Sequence, residues 1–170
     1  MSKKKIIPNH KIIDNFLPPR NLIKLQAVIN SGEFDWYYVE DINTNVPKDS
    51  LASYFVHVAY YQGTASKYIH IFSSILERLE IKALIRIKVN LYPRTHALEI
   101  HTPHIDENYP HTGAIFYLNT NDGKTILEDG TKIDSVANRV LLFDASKKHS
   151  STSTTDNKVR VNININYKEG

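Results

Sequence analysis

No cysteine occurs among the 170 residues, which excludes disulfide bonds and thiolate metal sites alike. A transition metal would have to be held by imidazole and carboxylate groups. No apolar run approaches the ~20 residues needed to cross a bilayer, and the N-terminus lacks the apolar stretch of a secretory signal. The expected setting is the reducing cytoplasm, without a membrane partner. Lys and Arg total 21 against 18 Asp and Glu. That excess is too small to imply a nucleic-acid partner without a clustered patch. The one basic run, Lys3-Lys4-Lys5, sits at the N-terminal extremity, where solvated charge is the default. Composition says nothing of oligomeric state.

What remains is a chain with 41% hydrophobic residues, enough for one folded domain with a real core. No internal repeat or linker divides it, so residues 1–170 are read as a single domain. His10 to Phe16 reads as a short strand and turn. Pro18-Pro19 opens a helix to about Asn30, with Leu22, Leu25 and Ile29 at helical spacing. Phe34 to Val39 is aromatic and β-branched enough for a strand, and Glu40 to Ser53 reads as a polar loop and a candidate lid. A second helix is expected from about Ser66 to Glu80, with Ile71, Phe72, Ile75 and Leu79 on its apolar side.

Beyond residue 82 the period changes from helical to alternating. In Leu84–Tyr92, Ile85, Ile87, Val89 and Leu91 oppose Arg86, Lys88, Asn90 and Tyr92. In Lys158–Tyr167, Val159, Val161, Ile163 and Ile165 oppose Lys158, Arg160, Asn162, Asn164 and Asn166. Successive side chains of a strand point to opposite faces, so each strand has one apolar and one polar side. Further strands are expected at Thr112–Asn119, Thr125–Leu127 and Arg139–Phe143. The pattern predicts an α+β chain that is mainly β: a jelly roll spanning about residues 84–167, with N-terminal helices (about 10–82) packed on one sheet. The polar faces either meet water or line a cavity, and Arg160 followed by alternating asparagines favours the cavity. Asn162 and Asn164 are candidate lining residues.

His104-Ile105-Asp106 is the first motif with chemistry in it. In extended chain, residues i and i+2 lie on one side, so both side chains can reach one metal. A histidine from a distant strand would complete a two-histidine, one-carboxylate face with open positions on iron(II). His149, after the strand Arg139–Phe143 and a polar turn, is the best candidate. Arg160 follows on the last strand. His101-x-x-His104 is a weaker alternative pair, with zinc-like spacing.

These motifs and their surroundings resemble the prolyl-hydroxylase-like branch of the iron(II)/2-oxoglutarate dioxygenases. The matching residues are Leu91-Tyr92-Pro93, His104-x-Asp106, Phe116-Tyr117-Leu118-Asn119, Asp122 to Leu127, Asn138 to Phe143, His149 and Arg160. They span roughly Leu84 to Tyr167, about half the chain. The resemblance implies a double-stranded β-helix that holds Fe(II) on His104, Asp106 and His149, with 2-oxoglutarate and O2 as cosubstrates. It implies that Arg160 pairs with the far carboxylate of 2-oxoglutarate, aided by the hydroxyls of Tyr92 and Tyr117. It also implies hydroxylation of a C–H bond in a small-molecule or peptide substrate, peptidyl proline being a candidate. Two positions depart from the family's pattern: Asp122 where glycine is frequent, and Ser151 where an apolar residue is common. Asp106 argues against the related halogenating chemistry, in which a small residue replaces the aspartate. The alternative keeps fold and metal without 2-oxoglutarate turnover, as a cupin-like metal-binding module serving as an isomerase or ligand sensor.

Overall fold

The protein is described from a computed structural model, over residues 10–40 and 53–170. Most of the Glu40–Ser53 loop, and with it the suggested lid, lies outside the described residues. The elements are β1 (His10–Ile13), α1 (Pro19–Ile29), β2 (Tyr37–Val39), β3 (Tyr54–Tyr61), β4 (Thr64–Ala65) and a 3-10 turn (Ile69–Phe72) continuing into α2 (Ser73–Leu76). Then come β5 (Ile81–Pro93), β6 (Thr112–Tyr117), β7 (Asn121–Leu127), β8 (Lys132–Ser135), β9 (Arg139–Asp144), β10 (His149–Ser151) and β11 (Val159–Glu169).

Eight strands form the main sheet, in the order β1-β9-β6-β11-β5-β3-β2 with β4 beside β3, and three form a second sheet, β10-β7-β8. Every pairing is antiparallel. This is the expected mainly β architecture. Among the described residues, no helix is long and apolar enough to cross a membrane.

The alternation along β5 and β11 decides what each face of the main sheet meets. Ile87, Val89, Val161, Ile163 and Ile165 are almost fully buried in one cluster with Leu25 and Ile29 of α1 and with Phe72 and Ile75. Covering such side chains contributes roughly 1.5–3 kcal/mol each. The opposite face carries the even-numbered polar residues, in register across the strands. Tyr92 faces Arg160, Asn90 faces Asn162, Lys88 faces Asn164, and Arg86 faces Asn166.

Three expectations need correction. The helix expected at Ser66–Glu80 is only a 3-10 turn and a four-residue α-helix. β-Branched, aromatic and serine residues there are weak helix formers, and the Ser66 hydroxyl instead meets His57 Nε2 at 2.9 Å and the Tyr68 amide at 3.2 Å. The strand expected at Phe34–Val39 shortens to Tyr37–Val39, because Phe34 turns into the core. The segment 10–82 is also not only helical support. β3 pairs along β5 and β1 along β9, so both widen the main sheet.

Asp122 marks the start of β7 as a clip. Its carboxylate accepts hydrogen bonds from the Thr154 hydroxyl at 2.8 Å, the Thr155 amide at 2.8 Å and the Thr155 hydroxyl. Burial opposes ionisation, but these donors outweigh it and hold the carboxyl below its usual range. A folded pKa below the unfolded value means stabilisation that is full above about pH 4 and fades as the pH falls further. Asp122→Ala should therefore cost on the order of 1 kcal/mol at neutral pH. Thermal melts between pH 5 and pH 3 should show a steeper loss of Tm in the parent than in the variant; parallel slopes would remove this role.

Candidate active site

The segment from Glu99 to Asp106 is extended but not a regular strand, and scattered bridges tie it to residues 145–153. The Ser153 amide donates to the Glu99 carbonyl at 3.0 Å, and the His101 amide to the Ser151 carbonyl at 2.9 Å. His104 and His149 exchange both backbone hydrogen bonds, each 2.9 Å, and the Asp106 amide donates to the Ala145 carbonyl at 3.1 Å. Side chains directly opposite in an antiparallel pair leave on one side, which brings the imidazole rings to 4.6 Å between centroids. Asp106, two residues beyond His104, leaves on that side too.

The three side chains converge. Asp106 Oδ1 lies 3.7 Å from His104 Nε2, and Oδ2 lies 3.8 Å from His149 Nε2. Two bonds of about 2.0–2.2 Å to a common ion can span such gaps. His149 Nδ1 is 3.0 Å from the Lys147 carbonyl, so Nδ1 carries the proton and Nε2 carries a lone pair. That Nε2 is buried without a hydrogen-bond partner. Burial lowers the pKa of His149, although Asp106 opposes the shift. A neutral, orphaned, buried imidazole nitrogen is what a metal requires.

Asp106 is itself only 3% exposed at its side chain. Burial alone would favour its neutral form. The charge of Arg86 and the hydrogen bond from the Asn166 amide oppose burial, and the carboxyl lies well below the usual range. Arg86 Nη2 donates to Oδ1 at 2.8 Å, while Asn164 and Asn166 donate to Oδ2 at 3.2 and 3.0 Å. Asn166 also meets His111 Nε2 at 2.9 Å. Asn164 and Asn166 thus orient the carboxylate, and Asn162 and Asn164 also line the cavity, as expected. Asn162 instead accepts from Asn90 at 3.0 Å.

His104, Asp106 and His149 open onto a cavity of about 240 Å³ whose floor is the polar face of β5 and β11. Arg160 stands behind one end of it, fully buried, without a carboxylate partner among the described residues. Its Nε donates to Ser135 Oγ at 2.9 Å, Nη1 to the Ser151 hydroxyl and to the Thr152 carbonyl at 3.3 Å, and Nη2 to Thr125 Oγ1 at 3.3 Å. Thr125 and Ser151 line the cavity, so the guanidinium lies one hydroxyl layer away from it. Gly123 makes room for this side chain: a Cβ there would come within 2.4 Å of Arg160 Cδ and 2.7 Å of the Ser153 carbonyl.

Of the two tyrosines implied earlier, Tyr92 lines the cavity and lies under the guanidinium, 5.4 Å from ring centre to Cζ. Burial pushes its phenol up to about 12, so it stays protonated at neutral pH. Tyr117 is fully buried and gives its hydroxyl to Thr125 Oγ1 at 2.8 Å; it reaches the cavity only through Thr125. Sequence reasoning missed Thr125, Ser151 and Tyr54 as lining residues. Ser151 was visible as a departure from the family's pattern, and its hydroxyl is now seen to serve Arg160. Arg86 and Lys88 were visible on the polar face of β5 but carried no role.

No family profile matches the sequence, and no curated protein sequence does. Solved structures do share the architecture. An oxidoreductase of the 2OG-Fe(II) oxygenase family from Burkholderia pseudomallei superposes with a TM-score of 0.72 at 9% identity, covering 94% of this chain and 85% of that one. A prolyl hydroxylase from Trichoplax adhaerens, in complex with a hypoxia-inducible-factor oxygen-degradation-domain peptide fragment, gives 0.63 at 20% identity, covering 95% and 84%. The epimerase SnoN in complex with Fe3+, α-ketoglutarate and nogalamycin RO gives 0.67 at 10% identity, covering 95% and 79%. The chain has a prolyl-hydroxylase-like 2-oxoglutarate oxygenase fold. On that fold the His-Asp-His cluster lines a cavity, and the buried arginine stands one hydroxyl layer behind it.

The cluster should take up one divalent ion, read by calorimetric titration with Mn(II) under anaerobic conditions. His149→Ala should weaken that binding by more than about 100-fold, beyond what loss of an outer partner of a ligand costs. His101→Ala should leave it within about threefold, since removing a group outside the cluster forfeits no coordination bond. The reverse order would move the metal to the His101-x-x-His104 pair.

Proposed function

We propose that this chain is an iron(II)- and 2-oxoglutarate-dependent oxygenase that oxidises a C–H bond of its prime substrate. The observation that carries the proposal is the pairing, at one cavity, of an orphaned imidazole nitrogen with a guanidinium that is buried behind the wall and has no counter-ion among the described residues. His149 Nε2 is buried without a partner beside Asp106 and His104, and the Arg160 guanidinium is buried with only neutral partners. The first calls for a cation and the second for an anion. 2-Oxoglutarate is an anion that can also chelate the cation.

His104, Asp106 and His149 would hold the iron, as a two-histidine, one-carboxylate set that leaves positions open for 2-oxoglutarate and O2. Iron(II), when bound, supplies oxygen activation coupled to oxidative decarboxylation of 2-oxoglutarate to succinate and CO2. The Lys147 carbonyl fixes the His149 tautomer, so that Nε2 faces the ion. Arg86, Asn164 and Asn166 keep the Asp106 carboxylate ionised and oriented. Arg160, with the hydroxyls of Thr125, Ser151 and Tyr92, would recognise the far carboxylate; a planar guanidinium suits it in charge and shape. Hydroxylation is the favoured outcome, with a small molecule or a peptide such as peptidyl proline as substrate.

The reading is tested first by anaerobic addition of iron(II) and 2-oxoglutarate, which should produce a weak visible charge-transfer band. Arg160→Ala should weaken 2-oxoglutarate roughly ten- to over a hundredfold, the effect of losing a charged hydrogen-bonding partner worth about 1.5–3 kcal/mol. Mn(II) affinity should be nearly unchanged. Gly123→Ala keeps the charge but displaces it, and should weaken 2-oxoglutarate in the same direction. In air, the parent should release succinate and Asp106→Ala should not; zinc, lacking redox chemistry, should support no turnover. Absence of both band and succinate would leave a metal-binding module as the better account.

A further inference from the structure

We propose that the prime substrate carries a carboxylate or phosphate group, held by Arg86 and Lys88 on the floor of the cavity; this rests on the oxygenase reading above. Both residues lie on the polar face of β5, two apart, so their side chains rise on the same side. Both line the cavity and are half-buried there.

Lys88 has no anion beside it among the described residues, and Arg86 has only Asp106, which a metal would share. Lys88 Nζ donates to the Tyr54 hydroxyl at 3.0 Å and lies 5.1 Å from that ring. Among the described residues no carboxylate pairs with it. Arg86 bonds Asp106, the carboxylate that the iron would take, and its Nε is buried with no partner. Asp106 is the one acidic side chain that lines the cavity among the described residues.

The charges then sort simply. A divalent ion, the 2-oxoglutarate dianion, Asp106, Arg160, Arg86 and Lys88 would together leave two positive charges, with Arg86 sharing Asp106 with the ion and Lys88 having no anion beside it. Arg86 and Lys88 lie in a partly desolvated space where unpaired charge is costly. A neutral substrate would bury that imbalance, whereas an anionic one would relieve it. The chemistry of the two groups agrees: a guanidinium fork and an ammonium point charge side by side suit the oxygens of a carboxylate or phosphate. The anion could belong to a small molecule or to an acidic side chain beside the oxidised residue of a peptide.

The test loads the full chain with Zn(II) and saturating 2-oxoglutarate, so that the metal and Arg160 are occupied and no turnover occurs. Inorganic phosphate, acetyl-Pro-Asp-amide and acetyl-Pro-Asn-amide are then titrated by calorimetry. Phosphate should bind, and Lys88→Met should weaken it about tenfold or more, while Lys88→Arg should restore most of the affinity. Arg86→Gln should act in the same direction. The 2-oxoglutarate affinity of Lys88→Met should stay within about twofold of the parent's. Preference for the Asp peptide over both phosphate and its Asn twin would assign the anion to a peptide side chain. Phosphate binding with no gain from Asp would assign it to a small molecule. Phosphate affinity indifferent to Lys88→Met, or loss of 2-oxoglutarate in that variant, would overturn the proposal. The Lys88 dependence is also read without metal or cosubstrate. Failure of 2-oxoglutarate to bind the parent would then sink the oxygenase reading while this comparison still decides the anion site.

Discussion

The pairing of β5 with β11 is the constraint on which the rest of the molecule depends. The strands run antiparallel in a register that sets Arg86 against Asn166 and Tyr92 against Arg160. A slip of β11 by one residue would exchange its faces, sending the guanidinium and asparagines into the core and Val161 and Ile163 into the cavity. The same alternation therefore fixes where the helices dock and which side chains meet the Asp106 carboxylate. Core and site are two faces of one ladder, and neither can be altered in register without the other.

Much of this was legible in the sequence, for an identifiable reason. A period of two survives in the residue order, so the β5 and β11 faces and the cavity beneath them could be read directly. His104 and Asp106 are neighbours in the chain, and their convergence needs only extended backbone. His149 could be proposed only from its place after the strand Arg139–Phe143 and a polar turn, because the ladder that brings residues 99–106 against 145–153 is irregular and leaves no periodic trace. Arg160 could be placed on the polar face of β11, but its role needed the resemblance to known oxygenases. β3 escaped notice because Tyr54–Tyr61 is apolar or aromatic at nearly every position and so shows no alternation, although Val58 and Tyr61 are exposed. The long second helix was expected from apolar spacing alone, which serves a 3-10 turn as well. Thr125 and Ser151 could not be singled out, since their importance lies in what crosses from the other sheet.

The two departures from the family's pattern also acquire physical reasons. Asp122 spends its carboxylate on the loop at Thr154 and Thr155, anchoring β7 where Gly123 must leave room for the arginine stem. Ser151 gives the guanidinium a hydroxyl that an apolar residue would not. Both changes sit around Arg160 rather than around the metal cluster, so the site departs from the pattern at the buried arginine. The solved structures that share the fold are at most 20% identical among those described above and include an epimerase as well as a hydroxylase, so the choice of reaction rests on cavity chemistry, not on architecture.

Arg160 springs from the main sheet, yet its hydrogen bonds end on Ser135, Ser151 and Thr125, one from each strand of the smaller sheet. It is a rivet between the layers, and an imperfect one, because its charge has no counter-ion of its own. An anion bound beside that seam in the folded form would stabilise the fold itself by mass action. Ligand occupancy and the cohesion of the two layers would in this way be a single equilibrium.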